Sequence, residues 1–225
     1  DEFSKIFYSG GFLYFQSKDS NQKFKLWRFD PSFNQGEGVY EKIVNLRGAD
    51  DDIINIIGEF DNYIYITALN ALNQVKMYKI NNETKLVTQV GSTNSFGSDD
   101  IKKAKIIGTK IFMSAKNRDG YEKLFYYDIT SETYFQVSDF NPTGERINNI
   151  AGIGDFVYFS SDVDNFGTDK LFIFDIKKNS LIQASNFNED QPDQIEDVTA
   201  IGDFIYFKAM NGSNKRLYKL CRNCD

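Results

Sequence analysis

Runs of apolar residues alternate along the chain with short polar stretches that carry Gly, Asp or Asn. In one such stretch Gly154-Asp155 is flanked by Ile147 to Ile153 and Phe156 to Ser160, which predicts a β-hairpin. The next run, Lys170 to Ile176, is largely apolar on both faces, so we expect a strand that is covered by a sheet on each side. Leu181 to Ser185 then supplies a fourth strand. The pattern therefore predicts four-stranded units.

Two markers of these units return at a nearly constant spacing. Glycines beside hydrophobic runs lie 46 to 50 residues apart, and basic-apolar-aromatic triplets lie 46 to 51 residues apart. The glycines are Gly10, Gly58, Gly108, Gly154 and Gly202. The triplets are Lys25-Leu26-Trp27, Lys76-Met77-Tyr78, Lys123-Leu124-Phe125, Lys170-Leu171-Phe172 and Arg216-Leu217-Tyr218. A period of roughly 40 to 50 residues with several short strands in each unit is typical of a β-propeller.

We therefore predict an all-β fold, a β-propeller with five blades of about 48 residues. The prediction is a single domain over residues 1–225, with repeats at roughly 1–49, 50–97, 98–144, 145–192 and 193–225. The fifth repeat stops before its expected fourth strand. Either the last blade lacks its outer strand, or the chain is a segment of a longer propeller.

Each blade should begin with an innermost strand that ends at a turn containing the repeated glycine. These strands are predicted at Ser4 to Ser9, Ile53 to Ile57, Ile101 to Ile107, Ile147 to Ile153 and Ile195 to Ile201. We also expect the aromatic residue of each triplet to be buried between blades, because both faces of that strand are apolar.

The repeats resemble the ELWxxDGT family of propeller-like repeats, which occurs mainly in large secreted and surface-associated bacterial proteins. The resemblance is carried by Gly154-Asp155-Phe156-Val157-Tyr158-Phe159, by Lys170-Leu171-Phe172-Ile173-Phe174-Asp175 and by Lys25-Leu26-Trp27-Arg28-Phe29-Asp30. Lys or Arg stands at the Glu of the motif, Trp occurs once, and no Gly-Thr follows the Asp. The resemblance implies a propeller fold and a surface or binding role, with no catalytic residues.

Composition narrows the classes of partner. Apolar residues make up 41% of the chain and aromatic residues 16%, which suits pleated sheets. No stretch approaches the roughly 18 apolar residues of a membrane helix, so we expect no membrane insertion. The formal charge of −6 and the pI near 4.9 disfavour binding to a phosphate backbone. Nucleic acid is therefore not an expected partner.

The chain begins at Asp1 without Met, so we expect a mature or excised piece, and possible membership of a larger chain or assembly. Its two cysteines, Cys221 and Cys224, form a CxxC at the C-terminus. A zinc site would need a second pair of ligands, and the sequence has no His and no further Cys. A small local disulfide and free thiols both remain open.

The sequence offers little for catalysis. A nucleophilic triad normally needs His as its base, and the chain has none. Glycosidases work with two or three carboxylates, and a chain with 32 Asp and Glu leaves that alternative open. We expect no catalytic residues and no cofactor, apart from one candidate calcium site.

The candidate calcium site is the segment from Asp162 to Asp169. Its alternating carboxylates and Gly167 resemble the start of a calcium-binding loop, with Asp162, Asp164 and Asp169 as the predicted ligands. Asn, Asp and Gly are also the residues that a tight β-turn needs. A turn without metal is therefore the alternative.

Acidic residues concentrate in the loops that precede the innermost strands. In a propeller these loops lie on one face, around the mouth of the central channel, so this face should be acidic. The predicted partner-binding residues are Asp50, Asp51, Asp52, Asp99, Asp100, Glu189, Asp190 and Asp193. Phe96, Phe140 and Phe187 recur in the same loops, either as exposed anchors or as packing between blades. The alternative to binding is an ordinary solvated surface.

We therefore predict a non-catalytic binding or assembly module of a secreted or cell-surface protein. It would recognise protein or glycan through the loop face around the channel. The alternatives are a carbohydrate-active enzyme that uses carboxylates facing the channel, and a structural spacer in a larger surface protein.

Overall fold

The computed structural model describes residues 6–33, 38–164, 167–189 and 191–221, and these residues form 19 strands in five antiparallel sheets. We call the sheets blades 1 to 5. Blade 1 contains β1 (Phe7–Ser9), β2 (Phe12–Lys18), β3 (Phe24–Asp30) and β4 (Val39–Lys42). Blade 2 contains β5 (Asn55–Phe60), β6 (Tyr63–Leu69), β7 (Val75–Asn81) and β8 (Val87–Gln89). None of the described residues forms a helix suited to crossing a bilayer.

The remaining blades follow the same order. Blade 3 contains β9 (Ala104–Ile107), β10 (Lys110–Lys116), β11 (Glu122–Asp128) and β12 (Thr133–Gln136). Blade 4 contains β13 (Asn149–Ile153), β14 (Phe156–Asp162), β15 (Asp169–Asp175) and β16 (Ser180–Gln183). Blade 5 contains β17 (Glu196–Ile201), β18 (Phe204–Asn211) and β19 (Asn214–Cys221). Within each blade, strands that follow one another in sequence are hydrogen-bonded neighbours. The prediction of five blades with a three-stranded last blade is confirmed for the described residues.

Recurring residues set the turns at both ends of a blade. Gly108 and Gly154 adopt positive φ values of 59° and 54° directly after the first strands of blades 3 and 4, a conformation that glycine adopts without steric cost. After the third strand, the side chains of Asn81 and Asp128 accept hydrogen bonds from backbone N–H groups two and three residues later. These side chains fix the turn into the fourth strand.

The predicted innermost strands correspond to β1, β5, β9, β13 and β17, each beginning one to three residues after its predicted start. Ser4 lies outside the described residues. One turn was predicted wrongly, because Gly58 lies inside β5 at a register irregularity between Ile56 and Gly58. Two further residues extend β5, and Asp61, with a φ of 52°, makes the turn instead. The irregularity in the pairing is a β-bulge, and it places Gly58 inside the strand.

The chain divides into two compact units, Asp1–Asp100 with blades 1 and 2 and Ile101–Asp225 with blades 3 to 5. The core of the first unit is a cluster that includes Tyr14, Leu26, Ile64 and Tyr78. The prediction of a single domain over residues 1–225 stays a prediction.

In the second unit, apolar residues pack on both faces of blade 4. One cluster joins blades 3 and 4, and includes Phe112, Leu124, Phe159 and Phe172. The other joins blades 4 and 5, and includes Tyr158, Leu171, Ile205 and Phe207. This is the two-sided burial that the apolar third strand predicted.

The triplet aromatics follow the prediction in the middle blades. Tyr78, Phe125 and Phe172 are buried, whereas Trp27 and Tyr218 are half-buried. Phe172 stacks between two other rings, with its centroid 4.5 Å from that of Phe140 and 5.4 Å from that of Phe159.

We expect Phe172→Ala to lower the free energy of unfolding by about 3 to 5 kcal/mol, because it removes a ring from a filled interior. Denaturant unfolding measures the change. Ile182→Ala is the matched control, because Ile182 is 59% exposed on β16. Equal losses for the two variants would contradict the assigned packing.

Candidate functional site

Long segments without regular secondary structure connect the fourth strand of each blade to the first strand of the next. We call residues 43–54, 90–103, 137–148 and 184–195 the interblade loops. They contain all the acidic residues that the sequence predicted as partner-binding. They are therefore the candidate functional segments, and each is described by the contacts that hold it.

A buried lysine lies beneath each interblade loop and pairs with a buried carboxylate from that loop. The lysines are the first residues of the triplets in blades 1 to 4. The Nζ–O distances are 3.1 Å for Lys25–Asp52, 2.9 Å for Lys76–Asp99, 3.0 Å for Lys123–Glu145 and 3.1 Å for Lys170–Asp193. All eight side chains are at most 5% exposed.

Each ammonium group also binds oxygen atoms along its loop. In blade 4, Lys170 Nζ donates hydrogen bonds to the carbonyl oxygens of Glu189 and Gln191 at 2.7 and 2.9 Å, and to Asn186 Oδ1 at 3.2 Å. Lys25 and Lys76 bind two loop carbonyls each in the same way. A loop that lacks strand pairing thus satisfies part of its backbone through one lysine.

The carboxylate organises the other side of the loop. Asp193 Oδ1 accepts a hydrogen bond from Asn188 N at 3.1 Å, and its Oδ2 accepts one from Ser185 Oγ at 2.6 Å. The same serine accepts a hydrogen bond from the backbone N–H of Leu171 at 2.9 Å. Blade 3 repeats this arrangement with Ser138 and Glu145. An unpaired charge in this position would carry a large desolvation cost, so the two partners depend on each other.

The pKa of Lys123 reflects the balance within such a pair. Burial alone would lower the pKa of this ammonium group, but its hydrogen bonds to Asp139 and Glu145 raise the pKa above the ordinary value. The charged form of the lysine is therefore the one that the fold stabilises.

These ion pairs show that part of the predicted partner-binding site is not accessible. Asp52, Asp99 and Asp193 were predicted as partner-binding residues, but each is fully buried against a lysine and is inaccessible to a partner. The sequence did carry a signal for this role. A lysine is the first residue of the triplet in each of blades 1 to 4, and an acidic residue follows it 22 to 27 residues later.

Other predicted residues remain at the surface. Asp50 and Glu189 are exposed, and Asp51 and Asp100 are half-buried. The side chain of Asp51 caps the start of β3 by accepting a hydrogen bond from Phe24 N at 2.7 Å. Asp190 lies outside the described residues. The accessible acidic surface is therefore smaller than the sequence predicted.

The three loop phenylalanines divide between the two predicted roles. Phe140 stacks on Phe172, and Phe187 stacks on Tyr218 with ring centroids 4.4 Å apart. These two rings pack against the triplet aromatic of the following blade. Phe96 is 72% exposed and is the one of the three that a partner can contact extensively.

The predicted calcium ligands are engaged in other contacts. Asp162 pairs with Arg146 at 2.7 Å, Asp164 Oδ1 accepts a hydrogen bond from Thr168 N, and Asp169 accepts two from backbone N–H groups of residues 194 and 195. Burial raises the pKa of Asp162, which Arg146 offsets only in part. No group of three or more potential metal-ligating side chains occurs among residues 6–33, 38–164, 167–189 and 191–221.

A polar cleft opens beside two of these residues in the second unit. Its volume is about 590 Å³, and its lining includes Lys102, Tyr121, Glu122, Arg146 and Asp162. Both signs of charge line the cleft, and Glu122 pairs with Lys102 at 2.9 Å. Such a lining, with charges of both signs, is suited to holding polar or charged groups of a ligand.

No protein-family profile matches the sequence, and no curated protein matches it. Solved structures do match in fold. TolB from Acinetobacter baumannii superposes with a TM-score of 0.51 at 13% identity, over 90% of this chain and 49% of that one. The fold is a β-propeller.

Two peptidase structures also match. Oligopeptidase B from Leishmania major gives a TM-score of 0.62 at 13% identity, over 99% of this propeller chain and 33% of the peptidase. A puromycin-hydrolysing peptidase from Mycobacterium tuberculosis gives a TM-score of 0.58 at 9% identity, over 92% of this chain and 34% of the peptidase. The propeller thus spans about half of the TolB structure and a third of each peptidase. At these identities the similarity concerns the fold, and the narrower resemblance to ELWxxDGT repeats stays a prediction.

The structure gives the oxidation state of one of the two C-terminal cysteines. Cys221, the last residue of β19, is disulfide-bonded, so the thiol alternative does not apply to it. Cys224 lies outside the described residues.

Breaking one buried ion pair should be costly, because the remaining charge stays in the interior. We expect Lys170→Met and Asp193→Asn each to lower the free energy of unfolding by about 3 to 5 kcal/mol. Lys177→Met is the matched control. Lys177 is 75% exposed in its ion pair with Asp155, so its loss should cost less than about 1 kcal/mol. Similar values for the Lys170 and Lys177 variants in urea unfolding would show that the buried pair does not hold the loop.

Calcium should leave the melting temperature unchanged, because Asp162, Asp164 and Asp169 already have protein partners. Thermal unfolding with millimolar calcium or with a chelator checks this expectation. A calcium-dependent rise that disappears in Asp164→Asn would instead establish the calcium site.

Proposed function

We propose that the chain is a non-catalytic protein-binding module whose interblade loops form its binding platform. The observation that carries the proposal is the buried lysine–carboxylate pair beneath each of four loops. Loops usually lose conformational freedom when they bind, and this loss weakens affinity. Loops that are already held in the free protein avoid most of that cost.

The exposed residues on these loops indicate the chemistry of the partner. In the first unit Asp50 supplies a carboxylate and Phe96 a large apolar side chain, and in the second unit Glu189 supplies another carboxylate. An apolar anchor among charged residues is typical of protein interfaces, and carboxylates attract a basic partner over longer distances. A protein with a basic surface patch is therefore the proposed partner, and a glycan is the alternative. The net charge of −6 argues against nucleic acid.

We also propose that the module works outside the cytoplasm, in a secreted or cell-surface protein. The disulfide at Cys221 supports this location, because disulfides persist mainly in oxidising compartments. A role within a larger chain or assembly belongs to the same proposal.

A carbohydrate-active enzyme is the second candidate. The observation in its favour is Asp162, a carboxyl group with a raised pKa beside a polar cleft. A carboxylic acid that stays protonated can act as a general acid in glycoside hydrolysis. The ion pair of Asp162 with Arg146 opposes this role, because it favours the charged carboxylate.

Binding should depend on the exposed platform residues. We expect the triple variant Asp50→Asn, Phe96→Ala and Glu189→Gln to weaken binding about tenfold or more, and salt to slow association. The partner is first captured from the extracellular proteins of the source cells, and its affinity is then measured by biolayer interferometry. A glycan array runs in parallel with the same protein.

The matched control changes two exposed carboxylates and one exposed apolar residue at the turns after the third strands, with Glu83→Gln, Leu86→Ala and Glu132→Gln. It should bind like the wild type. Equal weakening by both triple variants would contradict the platform. Hydrolysis of an array glycan that is lost in Asp162→Asn would favour the enzyme.

A further inference from the structure

Three large apolar side chains are exposed in loops of the first unit. Ile53 and Phe96 belong to the first two interblade loops, and Leu72 belongs to the turn between β6 and β7. Their exposed fractions are 62% for Ile53, 72% for Phe96 and 74% for Leu72. We call them the loop apolar residues. Single exposed apolar residues are common on protein surfaces, whereas several in neighbouring segments indicate an interaction site.

Hydrogen bonds hold these three segments next to one another. Leu69, the last residue of β6, donates its N–H to Asp52 O at 3.1 Å. Val75, the first residue of β7, donates its N–H to Ser98 Oγ at 2.9 Å. Asp52 and Ser98 lie one and two residues from the loop apolar residues of their loops. The turn between β6 and β7 therefore has one interblade loop at each of its ends.

The position of Ile53 carries polar residues in the other blades. Ile53 follows the buried carboxylate of its loop, and the residues that follow the buried carboxylates of the other loops are Asp100, Arg146 and Gln194. The fold does not require an apolar side chain at this position, because three blades are built without one.

The turn before the third strand gives the same comparison for Leu72. In blades 1 to 3 this turn begins with a side chain that accepts a hydrogen bond from the N–H two residues later. These turn residues are Asp19, Asn70 and Asn117. The residues two positions later are polar in blades 1 and 3 and apolar in blade 2, namely Asn21, Asp119 and Leu72. The turn is therefore formed equally well by a polar residue.

Phe96 also departs from its counterpart in the next loop. Asn94 and Asn141 hold equivalent positions, because the backbone N–H of each donates to the buried carboxylate of its loop. Their side chains accept hydrogen bonds from the N–H groups of Phe96 at 3.2 Å and Thr143 at 3.1 Å. Phe96 thus stands where the third loop has a threonine.

Ile53 is unfavourable for the backbone as well as for the surface. Its φ is 44°, and Asp100 and Gln194 adopt φ values of 48° and 47° at the same position. A β-branched residue is strongly disfavoured in this left-handed region, whereas Asn and Asp adopt it more readily. Backbone strain of this kind is retained mainly at functional sites. An exposed isoleucine in this conformation is therefore best explained by a contact outside the folded chain.

Acidic residues accompany the loop apolar residues. The side chain of Asp50 is 65% exposed, and Asp51 and Asp100 are half-buried in the same two loops. Carboxylates beside apolar anchors favour a partner in which apolar side chains are flanked by Lys or Arg.

We infer that the first unit binds an amphipathic segment of another protein, whose large apolar side chains contact Ile53, Leu72 and Phe96. Basic residues of the segment lie beside Asp50 and Asp100. This inference rests on the proposed protein-binding role, and it adds Ile53 and Leu72 to the residues that contact the partner.

The stability of two variants tests the inference without any partner. We expect Ile53→Asn to raise the melting temperature by about 2 °C, because asparagine relieves the strain of the left-handed conformation. Leu72→Asn should leave the melting temperature unchanged, because blades 1 and 3 have polar residues at this position. Thermal unfolding measures both. A lower melting temperature for Ile53→Asn would show that the side chain stabilises the fold, and would overturn the inference.

Binding is tested with a displayed library of random peptides of about 12 residues, which is selected on the intact chain. We expect the selected peptides to combine large apolar residues with Lys or Arg. The double variant Ile53→Asn and Leu72→Asn should bind them about tenfold or more weakly. Leu86→Asn is the matched control, because Leu86 is 65% exposed in the turn at the opposite end of β7, and it should bind like the wild type.

Three results would overturn the inference. They are selection of no peptide, selection of peptides without basic residues, and equal binding of the selected peptides by the double variant and the wild type. The double variant retains Asp50, Phe96 and Glu189. If it binds the captured partner normally while the platform variant does not, the inference fails and the proposed function stands.

Sedimentation of the protein alone tests whether the occupant is a second copy of this chain. We expect a monomer over the concentration range used for the peptides. A concentration-dependent dimer that the double variant dissociates would assign the loop apolar residues to self-association, and would overturn the assignment to another protein.

Discussion

The buried pair between a triplet lysine and a loop carboxylate is the interaction on which the regularity of this propeller depends. Each interblade loop connects the fourth strand of one blade to the first strand of the next, and its backbone makes only scattered hydrogen bonds to strands, such as Asp193 N to Asp169 O at 3.0 Å. One ammonium group, with three donors, adds to these bonds by binding loop carbonyls and a carboxylate together. The loop is thereby fixed by polar contacts in a region from which water is excluded.

This arrangement separates the acidic residues of the loops into two kinds. Asp52, Asp99 and Asp193 belong to the interior, where their charge is required by the lysine beneath them. Asp50 and Glu189 lie a few residues away at the surface, where water screens them. The interior carboxylates hold the loops in one conformation, and the surface carboxylates give the loops exposed negative charge. The proposed binding role depends on both.

Blade 5 differs from the other blades, because its triplet residue Arg216 forms no buried ion pair with a described residue. Arg216 has the position of the triplet lysines, but no described loop follows it, and the neighbouring Leu217 is exposed. Tyr218 nevertheless packs against Phe187 in the loop that follows blade 4 and against Phe207 on the neighbouring strand of its own blade. The face toward blade 4 is thus built by side-chain packing that does not depend on a buried ion pair.

The sequence by itself determined the repeat, the strand order and the position of most turns. These features depend on residues that are near one another in the chain, such as Gly154 beside its hairpin and Asp128 at its turn. It also determined that the third strands would be buried on both faces. Even so, Gly58 lies in a β-bulge and not at the turn, because the pairing of β5 with β6 continues to Phe60.

Only the tertiary structure decided which carboxylates are buried. Lys170 and Asp193 are separated by 23 residues, and their contact depends on how the loop folds back over the third strand. Hydrophobic periodicity carries no information about such a contact, since the pattern predicts that an acidic residue in a polar loop is exposed to solvent. The burial of a charge is settled by the position of its partner in space, and that position exists only once the blades have packed.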